Sequence, residues 1–283
     1  MENLKYIIYS LVLGSFFSCE DVIDVKLEEG RTLLAVDGWI DDQPGPYTVT
    51  LTQTQGYFDN SEFAPVTGGV LKIIDGDGNV ENLTENQPGK YQTSPEFLGQ
   101  VGKSYRLEML VNGEEYYAET AIQRQVVIDS ITYEYKEKSG DDNSGYYLNY
   151  FGWDPEGIGD NYRLKLYRNG QLLNQPKNLI YETDEWIDGN YIHDLQLNWD
   201  DPFQEGDSVM VEGLNITKDA YYFFAELSEQ TDNGGMFAVP PSNVRTNIFN
   251  KNPKPGLEVV GYFGGSSNYA VKGVISGEKG VIK

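Results

Sequence analysis

The sequence predicts an all-β protein: two immunoglobulin- or fibronectin-like β-sandwich domains in tandem, with one helix in the second. Three observations carry this. Short runs alternate apolar and polar residues, which is the period of a strand buried on one face. Clusters of turn residues interrupt these runs every ten residues or so, as in a sandwich. A single segment, Lys218 to Gln230, instead repeats its apolar residues at helical spacing.

Ahead of the first strand stands a segment of another kind. Lys5 precedes an apolar run from Tyr6 to Phe17, and Ser18 and Cys19 follow it. This reads as a secretory signal over residues 1–18. The run is shorter than the ~20 apolar residues that a spanning helix needs. Cys19 is the sole cysteine. Its position resembles the lipobox of bacterial lipoproteins, in which the chain is cut before the cysteine and the cysteine is acylated. Phe16 and Phe17 depart from the usual box. Residues 19–32 are then expected to be a lipidated tether, and the anchor would hold a water-soluble body on a membrane. Glu20 and Asp21 resemble the export signal of surface lipoproteins.

The first sandwich is expected over residues 33–125. Leu34 and Val36, then Tyr47, Val49 and Leu51, alternate with polar neighbours, and the turn residues Asp41 to Pro46 lie between them. Val70 to Ile74 is a strand, turned by Asp75-Gly76-Asp77-Gly78-Asn79. Tyr105, Leu107, Met109 and Val111 alternate up to Asn112-Gly113, a strong hairpin signal, and Tyr116 to Ile122 returns.

The second sandwich is expected over residues 126–283, with Gln123 to Val127 as the joint. Ile131, Tyr133 and Tyr135 alternate, and Tyr146 to Trp153 is an aromatic strand. Tyr162 to Leu166 ends at the Asn169-Gly170 turn, and Leu195, Leu197 and Trp199 alternate, which places Trp199 in the core. Thr217 caps the helix and Asp219 lies in its first turn. Pro240 and Pro241 begin an extended segment. Leu257 to Phe263 and Val271 to Ile275 read as two late strands.

Lys and Arg total 21 against 44 Asp and Glu, a net charge of −23. Nucleic-acid phosphates require clustered Lys and Arg, so that partner is excluded, as is bare anionic lipid. The acids are spread along the chain, which reads as a solubilising surface.

Several segments together carry a resemblance. They are Cys19-Glu20; Leu34 to Leu51 with Trp39 and Pro44-Gly45-Pro46-Tyr47; Tyr221 to Phe224; Pro240-Pro241-Ser242-Asn243-Val244 leading to Asn247-Ile248; and Gly261-Tyr262-Phe263. In this order they resemble the domain-of-unknown-function 4249 family of Bacteroidetes outer-membrane lipoproteins. The resemblance implies a surface accessory of a TonB-dependent nutrient receptor. It implies no catalytic residues.

The constellations that could carry chemistry are few. Asp75, Asp77 and Asn79 could aim three oxygens at Ca²⁺, but the position where an EF-hand has its bidentate Glu is Asn86, and the flanking pattern is strand. A plain hairpin turn is the expected reading. His193 is the only histidine and no Gly-x-Ser-x-Gly elbow occurs, so a turn or surface histidine is expected rather than a catalytic one. Asp154 with Glu156, Asp184 with Glu185, and Asp200 with Asp201 read as solvated loop acids. Trp186, in the acidic stretch between Tyr181 and Tyr191, is the expected exposed aromatic, with those two tyrosines as candidate contact residues. The sequence therefore points to a non-enzymatic binding protein without a cofactor. A small ligand such as a sugar, a peptide or a chelate is one expectation, and an adhesive surface contact with another protein or the matrix is the alternative.

Overall fold

The computed structural model describes residues 31–56, 59, 61–140, 143–199, 201–231, 242–252 and 258–283. The signal segment, Cys19, the Pro240-Pro241 segment and Asp200 lie outside the described residues. Residues 31–283 form one compact unit. The fold is an all-β sandwich with a single α-helix among the described residues.

The first half contributes β1 (Leu34–Asp41), β2 (Thr48–Gln53), β3 (Val70–Asp75), β4 (Val80–Asn82), β5 (Thr84–Gln87), β6 (Lys90–Gln92), β7 (Ser104–Val111) and β8 (Glu114–Ala121). The second contributes β9 (Ser130–Lys136), β10 (Gly145–Trp153), β11 (Asn161–Arg168), β12 (Gln171–Leu172), β13 (Ile180–Thr183), β14 (Tyr191–Gln196) and β15 (Ser208–Ile216). Then follow α1 (Lys218–Thr231), β16 (Ile248–Asn250), β17 (Val259–Val274) and β18 (Lys279–Ile282).

One large sheet runs β12-β11-β15-β17-β1-β2-β6-β5, with β13 also paired to β11. Two smaller sheets, β16-β8-β7-β3-β4 and β14-β10-β9-β18, complete the architecture. The alternation seen in the sequence has a direct consequence. In β7, Tyr105, Leu107, Met109 and Val111 are buried while Arg106 and Leu110 face out. They join Val36, Leu51, Leu71 and Phe263 in one core. Ile131, Leu148, Leu166, Val211, Val271 and Ile282 form a second core. A third, smaller cluster packs Ala220 and Phe224 of α1 on Leu214, Ile216 and Tyr262. Thr217 caps α1 through its Oγ1, which accepts the Ala220 N–H at 3.2 Å.

The two cores flank the joint at 123–127, but the chain does not divide there. β17 is one continuous strand, not the two short strands expected from the sequence. Its first half pairs in parallel with β1, from Val259 opposite Leu34 to Ser266 opposite Asp41. Its second half pairs antiparallel with β15, from Ser266 opposite Ile216 to Val274 opposite Ser208. The Gly264-Gly265-Ser266 run lies between the two strands expected from the sequence. Its residues are small for packing. The Trp39 indole occupies the place a Gly264 side chain would take, and a Cβ on Gly265 would lie 3.1 Å from Thr120. Trp39 is fixed by its Nε1–H to Ser266 Oγ at 2.9 Å and by the Phe224 ring of α1.

Candidate functional site

Between β10 and β14 on one side and β11, β13 and β15 on the other lies a cavity of about 220 Å³. The aliphatic side chains of Ile128, Leu164, Ile180, Ile192, Leu195 and Leu214 wall it. They come from four strands, β11, β13, β14 and β15, and from Ile128 just ahead of β9, and a bulge in β14 lets both Ile192 and Leu195 reach the cavity. Two tryptophans stand at the mouth, Trp153 at 60% and Trp186 at 90% exposure. The polar groups are few: Asp154, Tyr162, Glu182 and Thr183. Burial pushes the Glu182 carboxyl above its ordinary range. A mainly apolar cavity with a few convergent polar groups is the usual form of a small-molecule site.

Directly beside it lies a cluster of acids, two of which, Asp154 and Asp184, the sequence suggests are solvated loop acids. Asp154, Asp160 and Asp184 are 3%, 5% and 0% exposed, with carboxylate oxygens within 4.8 Å of one another. Asp154 follows β10, Asp160 precedes β11, and Asp184 opens the 3-10 turn Asp184–Trp186. Asp184 Oδ2 accepts the N–H groups of Gly159 and Asp160 at 2.7 and 2.9 Å. Asp154 accepts the Tyr162 hydroxyl and the Gly189 N–H. Burial raises the Asp154 carboxyl above the usual carboxylate range, and the nearby Asp184 and Asp160 add to this, against those two hydrogen bonds.

Arg124, from the joint, reaches into this cluster. Its Nε and one terminal nitrogen bond Asp160 at 2.5–3.0 Å, and its terminal nitrogens also donate to the carbonyls of Pro155, Glu156 and Gly157. Its own carbonyl accepts Asn215 Nδ2 and Ser267 Oγ, both at 3.0 Å. Asn215 Nδ2 also donates to Asp160 at 2.8 Å. The acids were misread because a carboxylate in so acidic a chain gives no local sign of burial. The Gly157 and Gly159 positions, both at positive φ, were the one available signal that the 154–160 loop is tightly folded.

The residues singled out in the sequence fall in different places. Trp186 lines the cavity mouth. Tyr181 packs with α1 against Tyr221, and Tyr191 lies against Trp153 and His193. Neither tyrosine lines the cavity. His193 is exposed, its ring also against Phe151. Asp75 closes its own hairpin: Oδ1 accepts the Asp77 and Asn79 N–H groups, and Lys103 bonds Asp77 at 2.6 Å.

Trp199 is not in the core; it is 64% exposed. The alternation of Leu195, Leu197 and Trp199 that placed it inside runs past the strand, because β14 ends at Gln196. Leu197 is still buried. Beyond it the Asn198 side chain takes over the pairing, accepting Leu148 N–H at 2.7 Å and donating to Tyr146 O, so the next residue turns outward.

A comparison with curated proteins finds no match. The family described as a domain of unknown function, DUF4249, matches residues 20–270, which takes in every strand through most of β17 together with the cavity and its acids. The chain belongs to the DUF4249 family.

Proposed function

We propose that this protein is a lipid-anchored outer-membrane protein, exposed at the cell surface, that captures a small ligand without transforming it and works beside a TonB-dependent receptor. The observation that supports capture most directly is the apolar cavity with two exposed tryptophans at its mouth. Its volume is well above the ~150 Å³ that accommodates benzene and below the ~300–1,000 Å³ of drug-sized sites, so the part of the ligand it takes is one or two rings, or an aliphatic side chain. Apolar walls favour an aromatic or peptide ligand over a sugar. Asp154 and Glu182 in its lining favour a positive charge or a hydrogen-bond donor and oppose an anion.

The acids beside the cavity support binding over hydrolysis. Asp160 is held by Arg124, and Asp154 by Tyr162 and Gly189, which are the bonds of a structural scaffold rather than of a free acid and base pair. The anchor rests on Cys19 behind the apolar run. Cys19→Ala is expected to move the protein from the membrane fraction to the soluble fraction and to abolish labelling by a palmitate analogue. A pull-down of the wild type from detergent-solubilised outer membranes is expected to bring a TonB-dependent receptor with it. Unchanged membrane retention of Cys19→Ala, or recovery without any such receptor, contradicts the proposal.

A further inference from the structure

We propose that Asp154, Asp160 and Asp184 form a divalent-cation site, suited to Ca²⁺, that fixes the loop bearing Trp186. This stands on the acids alone and does not depend on what the cavity binds. Three buried carboxylates present oxygens within 4.8 Å of one another. Among the described residues their one ion-pair partner is Arg124, which bonds Asp160. Negative charge therefore exceeds positive charge in a buried place, and buried charge is costly unless it is paired or coordinates a metal.

A second observation points to the ligand. Asp184 Oδ1 is buried and has no hydrogen-bond partner. The other oxygen of that carboxylate is held by two backbone N–H groups, so its orientation is fixed. Buried polar atoms in native proteins are nearly always satisfied, and an exception calls for a bound ion or water. Hard oxygen donors select Ca²⁺ or Mg²⁺ over softer metals. Ca²⁺ accepts irregular geometry with waters completing its shell, whereas Mg²⁺ demands a near-ideal octahedron. Asp154 also lines the open cavity, which gives the ion and its waters a way in. The three acids come from two connections, Asp154 and Asp160 from the two ends of the β10–β11 loop and Asp184 from the turn after β13, and Trp186 lies two residues after Asp184. An ion shared by them would draw these loops together at the cavity mouth.

The hairpin at Asp75, Asp77 and Asn79 offers no such site. Its Asp75 oxygens already accept three donors, and the Lys103 ammonium supplies the positive charge.

The test is a calorimetric titration of Ca²⁺ into chelator-treated full-length protein, with thermal melts alongside. One ion is expected to bind with a dissociation constant of about 0.1–1 mM, the range of extracellular modules. About 5 mM Ca²⁺ should raise the melting temperature by roughly 3–5 °C. Asp184→Asn keeps an oxygen for the Gly159 and Asp160 N–H groups but removes the charge, and is expected to abolish both effects. Asp154→Asn should weaken both, and serves as the second variant if the first does not fold. Asp77→Ala should leave both unchanged. Absence of binding by the wild type overturns the proposal. So does binding that survives in the folded Asp184→Asn or Asp154→Asn protein, or that is lost in Asp77→Ala.

Discussion

Arg124→Ala is expected to lower folding stability by about 2–4 kcal/mol, because it leaves a buried carboxylate without its partner. Asp160 is the exposed side of nothing: its side chain is 7% accessible and takes two nitrogens of the guanidinium. The same guanidinium ties three carbonyls of the 155–157 loop. The upper end of the usual range for breaking a buried pair is not reached, because Arg124 itself is 40% accessible and solvent screens part of the charge. Arg124→Lys keeps the charge but cannot reproduce a planar fork serving a carboxylate and three carbonyls, so it should restore only part of the loss. Urea unfolding of the three proteins checks this. Equal stability of wild type and Arg124→Ala would mean the cluster is not held together as described.

The second large effect is expected at Phe263. Phe263→Ala should cost about 3–5 kcal/mol, the scale for removing a buried aromatic ring. Phe263 is fully buried in the first core, and both its backbone groups are taken by one side chain: Asn247 Oδ1 accepts its N–H at 3.0 Å and Asn247 Nδ2 donates to its carbonyl at 2.7 Å. Asn247 Nδ2 also donates to Glu119 O at 3.0 Å, so it joins β17 to the end of β8 in the facing sheet. Because β17 continues into the second half of the large sheet, the loss should be felt there too. Circular dichroism and tryptophan fluorescence are expected to report one coincident transition in the wild type and in the variant. Two separated transitions would show that the halves fold independently.

Much of the local structure was legible in the sequence. The Asn112-Gly113 and Asn169-Gly170 pairs announced hairpins, and both asparagines and both glycines take the positive φ such turns require. The helix was legible because its cap and its apolar spacing agree within one segment. What was not legible is long-range. Nothing near residue 260 says that it will pair in parallel with residue 35, and the glycines that allow Trp39 to lie on the strand separated the two strands expected there. The cavity escaped for the same reason, since its walls, among them Leu164 of β11, Ile180 of β13 and Leu214 of β15, lie far apart in sequence and meet only in the folded chain. Trp186 was recognised as exposed because acids and a glycine surround it. Trp199 was misplaced because alternation was extended past Gln196, where β14 ends and the Asn198 side chain takes over the pairing.

The central claim is that the cavity behind Trp186 takes a small apolar group carrying positive charge. The most direct measurement is calorimetric titration of phenethylamine and of phenylacetate, two one-ring probes of opposite charge, into wild type and Trp186→Ala. The amine is expected to bind the wild type and the acid not to. Trp186→Ala should weaken the amine by about thirtyfold, which corresponds to ~2 kcal/mol at a hot-spot tryptophan, with an unchanged melting temperature because the ring is solvent-exposed. Binding of neither probe, equal binding of both, or equal affinity of the variant would contradict the account.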